Sequence, residues 1–164
     1  MKKYELVKTD TKQFAGKTLY RIRALIAISG FVAAGELGGY IEVEANLSQN
    51  GDAWVYGDAQ VYGNAWVYGN AWVYGDAWVS GNAWVSGDAQ IVWFSNVGSE
   101  NGTLTVARSK SGLFVSRGCF SGTDVEFLEA VEKHHGFDSK IGCEYKLLIE
   151  VARSRIDVTE KIKE

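Results

Sequence analysis

The middle of this sequence lacks basic residues. Residues 24–107 contain neither lysine nor arginine, although they contain eight aspartate and glutamate residues. Affinity for nucleic acid comes largely from lysine and arginine side chains that displace counterions from phosphates. The composition therefore argues against nucleic-acid binding by this stretch. Residues 1–23 carry seven basic and two acidic residues, which makes them a weak candidate for contact with an anionic partner.

The sequence also lacks long apolar runs. No run approaches the roughly 20 residues that a membrane-spanning helix needs, and the start of the chain has no apolar stretch typical of a signal peptide. We therefore expect no membrane contact and a cytoplasmic location. The two cysteines, Cys119 and Cys143, lie far apart in a chain without a secretory signal, so we expect free thiols.

What the sequence has in abundance is one hexapeptide. Residues 51–90 are near-copies of a single unit, GDAWVYGDAQVYGNAWVYGNAWVYGDAWVSGNAWVSGDAQ. Within each copy, Ala and Val share one face of a short strand while Trp and Tyr share the other. Antiparallel hairpins at the Gly-Asn and Gly-Asp pairs would set Trp54 opposite Val61 and mix the two sets. If each Gly-Asn or Gly-Asp pair instead turns the chain by about a third of a circle, every Val stays inside. The alternation therefore favours a parallel β-coil.

Counting in sixes from Val55 predicts how far the coil extends. It implies about four turns of 18 residues. The predicted inward residues are Leu25, Phe31, Leu37, Val43, Gln49, Val55, Val61, Val67, Val73, Val79, Val85, Ile91 and Val97. Four positions after each of these the residue is mostly small, as expected at a cramped corner, although Ile41 and Leu47 are larger. The acids Asp52, Asp58, Asp76 and Asp88 alternate with Asn64, Asn70 and Asn82 at one place in the repeat, which is typical of turn residues.

The unit V-Y-G-N-A-W resembles the hexapeptide repeat of left-handed parallel β-helix proteins, and the match covers about residues 25–98. The left hand is implied by this resemblance alone. The wider sequence, including RIRALIAISGFVAAGELGGYIEVEANLSQN and GCFSGTDVEF, resembles uncharacterised hexapeptide-repeat proteins encoded by phages and prophages. That resemblance implies a phage setting, with the host cytoplasm as location, and implies no reaction.

The flanks predict caps for the two ends of the coil. We predict an N-terminal cap over residues 1–24, the coil over 25–98, and a small α+β domain over 99–164. In that domain the stretch after Gly102 predicts a hairpin that turns at residues 109–112. A first helix is predicted to begin at the capping box of Thr123 and Glu126 and to stop at Gly136. A second is predicted over residues 139–155. The predicted fold class is mainly β.

Catalysis has weak support in the sequence. Many left-handed β-helix proteins are acyltransferases that use a histidine base, and the two histidines here, His134 and His135, lie at a predicted helix end outside the coil. Together with Cys119 and Cys143 they have the residue types of a zinc site, but their spacing fits no common zinc module. We predict no catalytic set, no cofactor and no metal. Acyltransferase activity stays open as the alternative.

The outward aromatic residues are the candidate site. Four or more large rings on one surface would expose more apolar area than a monomer usually shows. We therefore predict a non-catalytic binding protein that forms a homo-oligomer, most simply a trimer, and that inhibits a host protein or sequesters a small host ligand. The predicted interface residues are Trp54, Tyr56, Trp66, Tyr68, Trp72, Tyr74, Trp78 and Trp84, and the candidate ligand contacts are Arg108 and Arg117.

Overall fold

The computed structural model describes residues 1–159, apart from the side chain of Asp88, and shows a mainly β protein with two C-terminal helices. Residues 160–164 of the predicted C-terminal domain lie outside this description. The strands are β1 (Tyr4–Phe14), β2 (Lys17–Ala24), β3 (Leu37–Ile41), β4 (Trp54–Val55), β5 (Gln60–Val61), β6 (Trp66–Val67), β7 (Trp72–Val73), β8 (Trp78–Val79), β9 (Trp84–Val85), β10 (Ile91–Val97), β11 (Gly102–Ser109), β12 (Gly112–Arg117) and β13 (Phe120–Thr123). The helices are α1 (Asp124–His135) and α2 (Lys140–Arg155).

The repeats form three ladders of short parallel strands. Ladder A joins β3, β5 and β8, ladder B joins Leu47, β6 and β9, and ladder C joins β4 and β7. Within the repeats each strand pairs with the strand 18 residues later, as Val55 does with Val73. The parallel pairing predicted from the alternation is therefore confirmed for these strands. The inward side chains are almost wholly buried, and they are Ala53, Val55, Ala59, Val61, Ala65, Val67, Ala71, Val73, Ala77, Val79, Ala83 and Val85.

Before Ala53 the six-residue frame, that is, the set of inward residues predicted by counting in sixes from Val55, is wrong. The predicted inward residues Leu25, Phe31, Leu37 and Val43 are 42%, 77%, 48% and 45% exposed, respectively. Instead Ile41 pairs with Val61 and Leu47 with Val67, so the first turn is 20 residues long. Two extra residues lie between Leu47 and the first repeat. An insertion of two preserves the alternation of inward and outward residues, and counting in sixes cannot detect it.

The N-terminal residues form an antiparallel hairpin that the sequence analysis described only as a cap. Strands β1 and β2 pair across Ala15 and Gly16, which both have positive φ. Strand β2 then pairs antiparallel with β3, so the hairpin continues ladder A as a five-stranded sheet. Ion pairs hold the hairpin against the coil, among them Lys12 with Asp58 at 2.7 Å and Lys17 with Glu42 at 2.6 Å.

The coil ends at Val85, earlier than the predicted residue 98. Strand β10 pairs antiparallel with β11, and β10 to β13 form a separate four-stranded sheet. This sheet covers the last turn: the Trp78 amide donates to Thr105 Oγ1 at 3.0 Å, and the ring of Phe114 lies directly over Gly81. From Leu37 to Val85 the coil makes fewer than the predicted four turns.

The C-terminal elements agree closely with the sequence. The predicted hairpin is present as β11 and β12, and Thr123 and Glu126 form the predicted capping box of α1. Helix α2 is capped by Ser139. The apolar faces of both helices pack on the four-stranded sheet in a second core that includes Leu104, Val106, Val115, Phe127, Val131, Tyr145, Ile149 and Ala152. Within residues 1–159, no helix is long and apolar enough to cross a membrane.

Candidate ligand-binding groove

Trp54 is the clearest correction to the predicted aromatic surface. It projects from ladder C away from the inward residues, as predicted, but its side chain is fully buried. The ring of Tyr4 meets it edge-on at 6.3 Å between centroids, and Ile22 of the N-terminal hairpin lies in the same core. Trp54 is therefore part of the hydrophobic core and offers no surface to another molecule.

Ladder A is also covered by the hairpin. The ring of Phe14, at the end of β1, lies 4.6 Å from Trp78 and 5.5 Å from Tyr62 between centroids. Trp78 is left half-buried. The hairpin thus removes much of the apolar surface that the repeat would present on this ladder.

On ladder B the rings pack mainly on one another. Trp66 and Tyr68 stack at 4.0 Å with an interplanar angle of 14°, and Trp84 meets Trp66 edge-on at 5.4 Å. The Lys110 ammonium lies 3.9 Å from the centroid of Trp84. These three rings remain half-buried at the surface.

Ladder C carries two open grooves that share Trp72. The first has a volume of about 490 Å³ and lies between the coil and the loop after β2. It is lined by Ser29, Phe31, Asp52, Asn70 and Trp72. The second, of about 450 Å³, lies between the coil and the C-terminal domain. It is lined by Trp72, Tyr74, Ile91, Val92, Trp93, Phe94, Val151 and Arg155. We call the two together the Trp72 groove.

Aromatic pairs set the shape of the Trp72 groove. Phe31 meets Trp72 at 88° with centroids 5.6 Å apart, and Trp93 meets Tyr74 at 89° and 4.7 Å. Phe31 is 77% exposed, so its ring is open to solvent although it contacts Trp72. A concave, largely apolar surface with a few polar groups is the usual form of a small-molecule site.

Only part of the predicted aromatic set reaches this groove. Trp72 and Tyr74 line it, whereas Trp54, Trp66, Trp78 and Trp84 do not. Tyr56 is 40% exposed and donates from its hydroxyl to Glu36 at 2.6 Å, which raises the pKa of Tyr56. Phe31 and Trp93 are groove residues that the sequence analysis missed, because Phe31 was assigned to the core and Trp93 follows the last repeat.

The predicted arginine contacts lie elsewhere. Arg108 is buried, at 4% exposure. Arg117 donates to the Tyr145 hydroxyl at 2.9 Å and to the Val97 carbonyl at 3.1 Å, which joins α2 to the four-stranded sheet. Neither residue lines the Trp72 groove.

Lys3 supports the corner that carries Asp52. Its ammonium donates to the carbonyl oxygens of Ala53 at 2.7 Å and of Gly51 at 3.3 Å, and the residue is 2% exposed. Burial lowers the pKa of Lys3 from 10.5 to about 8, and the negative charge of Asp52 opposes part of this shift. The Lys3 amine therefore stabilises the edge of the groove through these hydrogen bonds, while the burial of its charge is unfavourable.

This pKa predicts a rise in stability with pH. Between about pH 8 and 10.5 the folded protein has lost the Lys3 proton while the unfolded chain keeps it, so the free energy of unfolding increases across that window. The contribution approaches about 3 kcal/mol at the upper end. Urea titrations from pH 7.5 to 10.5 should give a steeper rise for the wild type than for Lys3→Met. Parallel curves would mean that Lys3 titrates normally in the folded protein.

No candidate metal cluster is present among the described residues. Within the described part of the chain, no group of three or more His, Cys, Asp or Glu residues lies close enough to bind a metal ion. Cys119 and Cys143 are both exposed free thiols, and His134 and His135 lie in the last turn of α1. The four residues of the zinc hypothesis are therefore not brought together.

Comparison with known proteins places the repeat in a broad structural group. Residues 59–75 match the family model described as the YdcK β-solenoid repeat. The matched residues include β5, β6 and β7, one strand from each ladder. No curated protein matches the chain. The comparison supports a β-solenoid repeat and assigns no activity.

Proposed function

We propose that this β-solenoid protein is a non-catalytic binding protein that holds a small ligand in the Trp72 groove. The observation that carries the proposal is the position of Trp72, which lines two adjoining cavities and is flanked by Phe31 in one and Trp93 in the other. The other two ladders have their aromatic rings covered by the hairpin or packed on one another. On ladder C, aromatic rings and polar side chains line the same cavities.

The fold and the setting that we propose follow the sequence resemblance. We propose that the coil is a left-handed parallel β-helix and that the protein is a phage or prophage accessory factor in the host cytoplasm. Sequestration of a small host ligand fits a groove of this size better than inhibition of a host protein, since the pockets that bind small molecules have volumes of about 300–1,000 Å³.

Binding can be tested before the ligand is known. A protein-free cell extract should raise the melting temperature of the wild type, because a ligand that binds only the folded state stabilises it. Phe31→Ala should show a smaller increase, because the variant binds the ligand more weakly. Leu147→Ala is the matched control, since Leu147 is 61% exposed on α2 and lies outside the groove. An equal increase in all three proteins would refute binding at the groove.

Acyltransferase activity is the alternative function. It predicts release of thiol from acetyl-CoA in the presence of an amine or alcohol acceptor, with loss of turnover in His134→Ala or His135→Ala. We expect no turnover above the uncatalysed rate. Turnover that depends on either histidine would overturn the non-catalytic assignment.

We also propose that the protein forms a homotrimer through ladder B. The sequence predicted an interface of eight outward aromatic residues, but Trp54 is buried and Trp72 lines the groove. Trp66, Tyr68 and Trp84 pack on one another at the surface and line neither cavity of the groove, and the Lys110 ammonium lies over the ring of Trp84. Replacing Trp66 and Tyr68 together by Ser should weaken assembly in sedimentation equilibrium. A wild type with the mass of a single chain at micromolar concentration would refute the trimer.

A further inference from the structure

The lining of the Trp72 groove has almost no net charge. Of the residues that line its two cavities, Asp52 and Arg155 are charged, and they carry opposite signs. They line different cavities, each of which also includes Trp72. Buried Lys3 adds a positive charge behind Asp52. A strongly anionic ligand would meet one arginine, and a cationic ligand would meet one partly compensated carboxylate, so the electrostatics favour an uncharged ligand.

The polar side chains at the groove suit hydroxyl groups. Ser29 and Asn70 can each donate and accept hydrogen bonds, Asp52 accepts, and Arg155 donates. A ligand hydroxyl is both a donor and an acceptor and can pair with any of them. A ligand with few polar atoms would leave these groups with water alone.

The aromatic rings occur at intervals along the groove. Phe31 and Trp72 border the first cavity, and Trp72 and Trp93 border the second. The apolar faces of sugar rings pack on aromatic side chains, while their hydroxyl groups point to the sides. The two cavities share Trp72, and their volumes of about 490 and 450 Å³ lie within the usual range of small-molecule sites.

We infer that the Trp72 groove binds a neutral oligosaccharide, with sugar rings packed against Phe31, Trp72 and Trp93. Hydroxyl groups at one end pair with Asp52 and Asn70, and those at the other end pair with Arg155. This inference rests on the proposed binding function and specifies its ligand class.

The six tryptophans provide a site-specific test. In nitrogen–proton correlation spectra of the full chain, the six indole N–H signals can be assigned with single Trp→Phe variants. Titration with maltohexaose, cellohexaose and chitohexaose should, for at least one of them, shift the Trp72 and Trp93 signals saturably. The signals of Trp66 and Trp84, on ladder B, should stay in place. Raising sodium chloride to about 0.5 M should leave the affinity unchanged, because the ligand is uncharged.

Substitutions refine the same titration. Phe31→Ala should weaken binding about two- to tenfold, the range expected for one aromatic contact. Leu147→Ala should leave it unchanged. Asp52→Asn should change the affinity by less than about threefold, because the amide retains an oxygen that accepts a hydrogen bond. A loss beyond tenfold in Asp52→Asn would instead indicate recognition of a cation.

The outcomes separate the ligand class from the binding function. If tetramethylammonium or adenosine monophosphate shifts the Trp72 and Trp93 signals and no hexasaccharide does, the oligosaccharide inference is wrong and the binding function stands. If only the protein-free extract shifts them, loss of the shift after glycosidase digestion of the extract would support the oligosaccharide inference, and a shift that survives digestion would overturn it. If no probe and no extract shifts these two signals, both proposals are wrong.

Discussion

Val73→Asp should leave the coil unfolded under conditions in which the wild type is native. Val73 is fully buried on ladder C, paired with Val55 in the turn before it. Residues 24–107 contain no lysine or arginine that could pair with the new carboxylate inside the coil. Burying an unpaired charge destabilises a protein by about 4 kcal/mol or more, which is a large fraction of the stability of a small domain. Circular dichroism and urea titration measure the loss.

Val43→Asp is the matched control for Val73→Asp. Counting in sixes assigns both residues to the core, whereas in the structure Val43 is 45% exposed. A carboxylate at position 43 keeps its hydration, so we expect a change of less than about 1 kcal/mol. If the two variants were equally unfolded, the first turn would follow the six-residue frame and the two-residue shift would be wrong.

Gly38→Ala should also be strongly destabilising. A Cβ atom at Gly38 would lie 2.5 Å from the Val55 carbonyl oxygen, 2.6 Å from Ile22 Cγ1 and 2.8 Å from the ring of Trp54. These atoms belong to the backbone or to the packed core and have little room to move. Overpacking typically costs about 1–3 kcal/mol, and we expect a loss at the upper end of that range because these atoms are tightly held. The midpoint of urea unfolding should fall, and the fluorescence of the protein should report a disturbed environment for Trp54.

Gly87→Ala is the control for the effect of an added methyl group. Gly87 has an extended backbone, with φ of −158°, and a Cβ atom there would meet nothing within 4 Å. We expect a change of about 0.5 kcal/mol or less, with a slight gain in stability as the most favourable case. A similar loss in both variants would mean that the cost at Gly38 comes from the backbone and not from packing under the hairpin.

The repeat was predictable because each copy confirms the others. Alternation assigned Val and Ala to the interior from Ala53 to Val85, and the structure agrees at each of these residues. The capping box at Thr123 was also predictable, since it depends on residues three apart. Before the regular repeats begin, the sequence contained one sign that counting in sixes fails there. Ile41 and Leu47 are too large for the corner position, and in the structure they pair with the inward residues Val61 and Val67.

The groove was not predictable from such local patterns. Its shape depends on which loop and which strand pack beside ladder C, and Phe31 and Trp93 lie 41 and 21 residues from Trp72 in the sequence. The alternation shows that Trp54 and Trp72 point outward from the coil. It contains no information on the hairpin that buries Trp54, whereas Trp72 is half-buried beside Phe31.

The 18-residue turn limits how this protein can lengthen during evolution. Duplicating three successive hexapeptides would add one rung, about 4.8 Å, to each ladder and would keep Phe31 and Trp93 above the same ladder. Duplicating a single hexapeptide would rotate everything after it by about a third of a circle and carry Trp93 and Arg155 to a different ladder. Only whole-turn duplications preserve the groove, so homologues that keep it should differ in coil length by multiples of 18 residues.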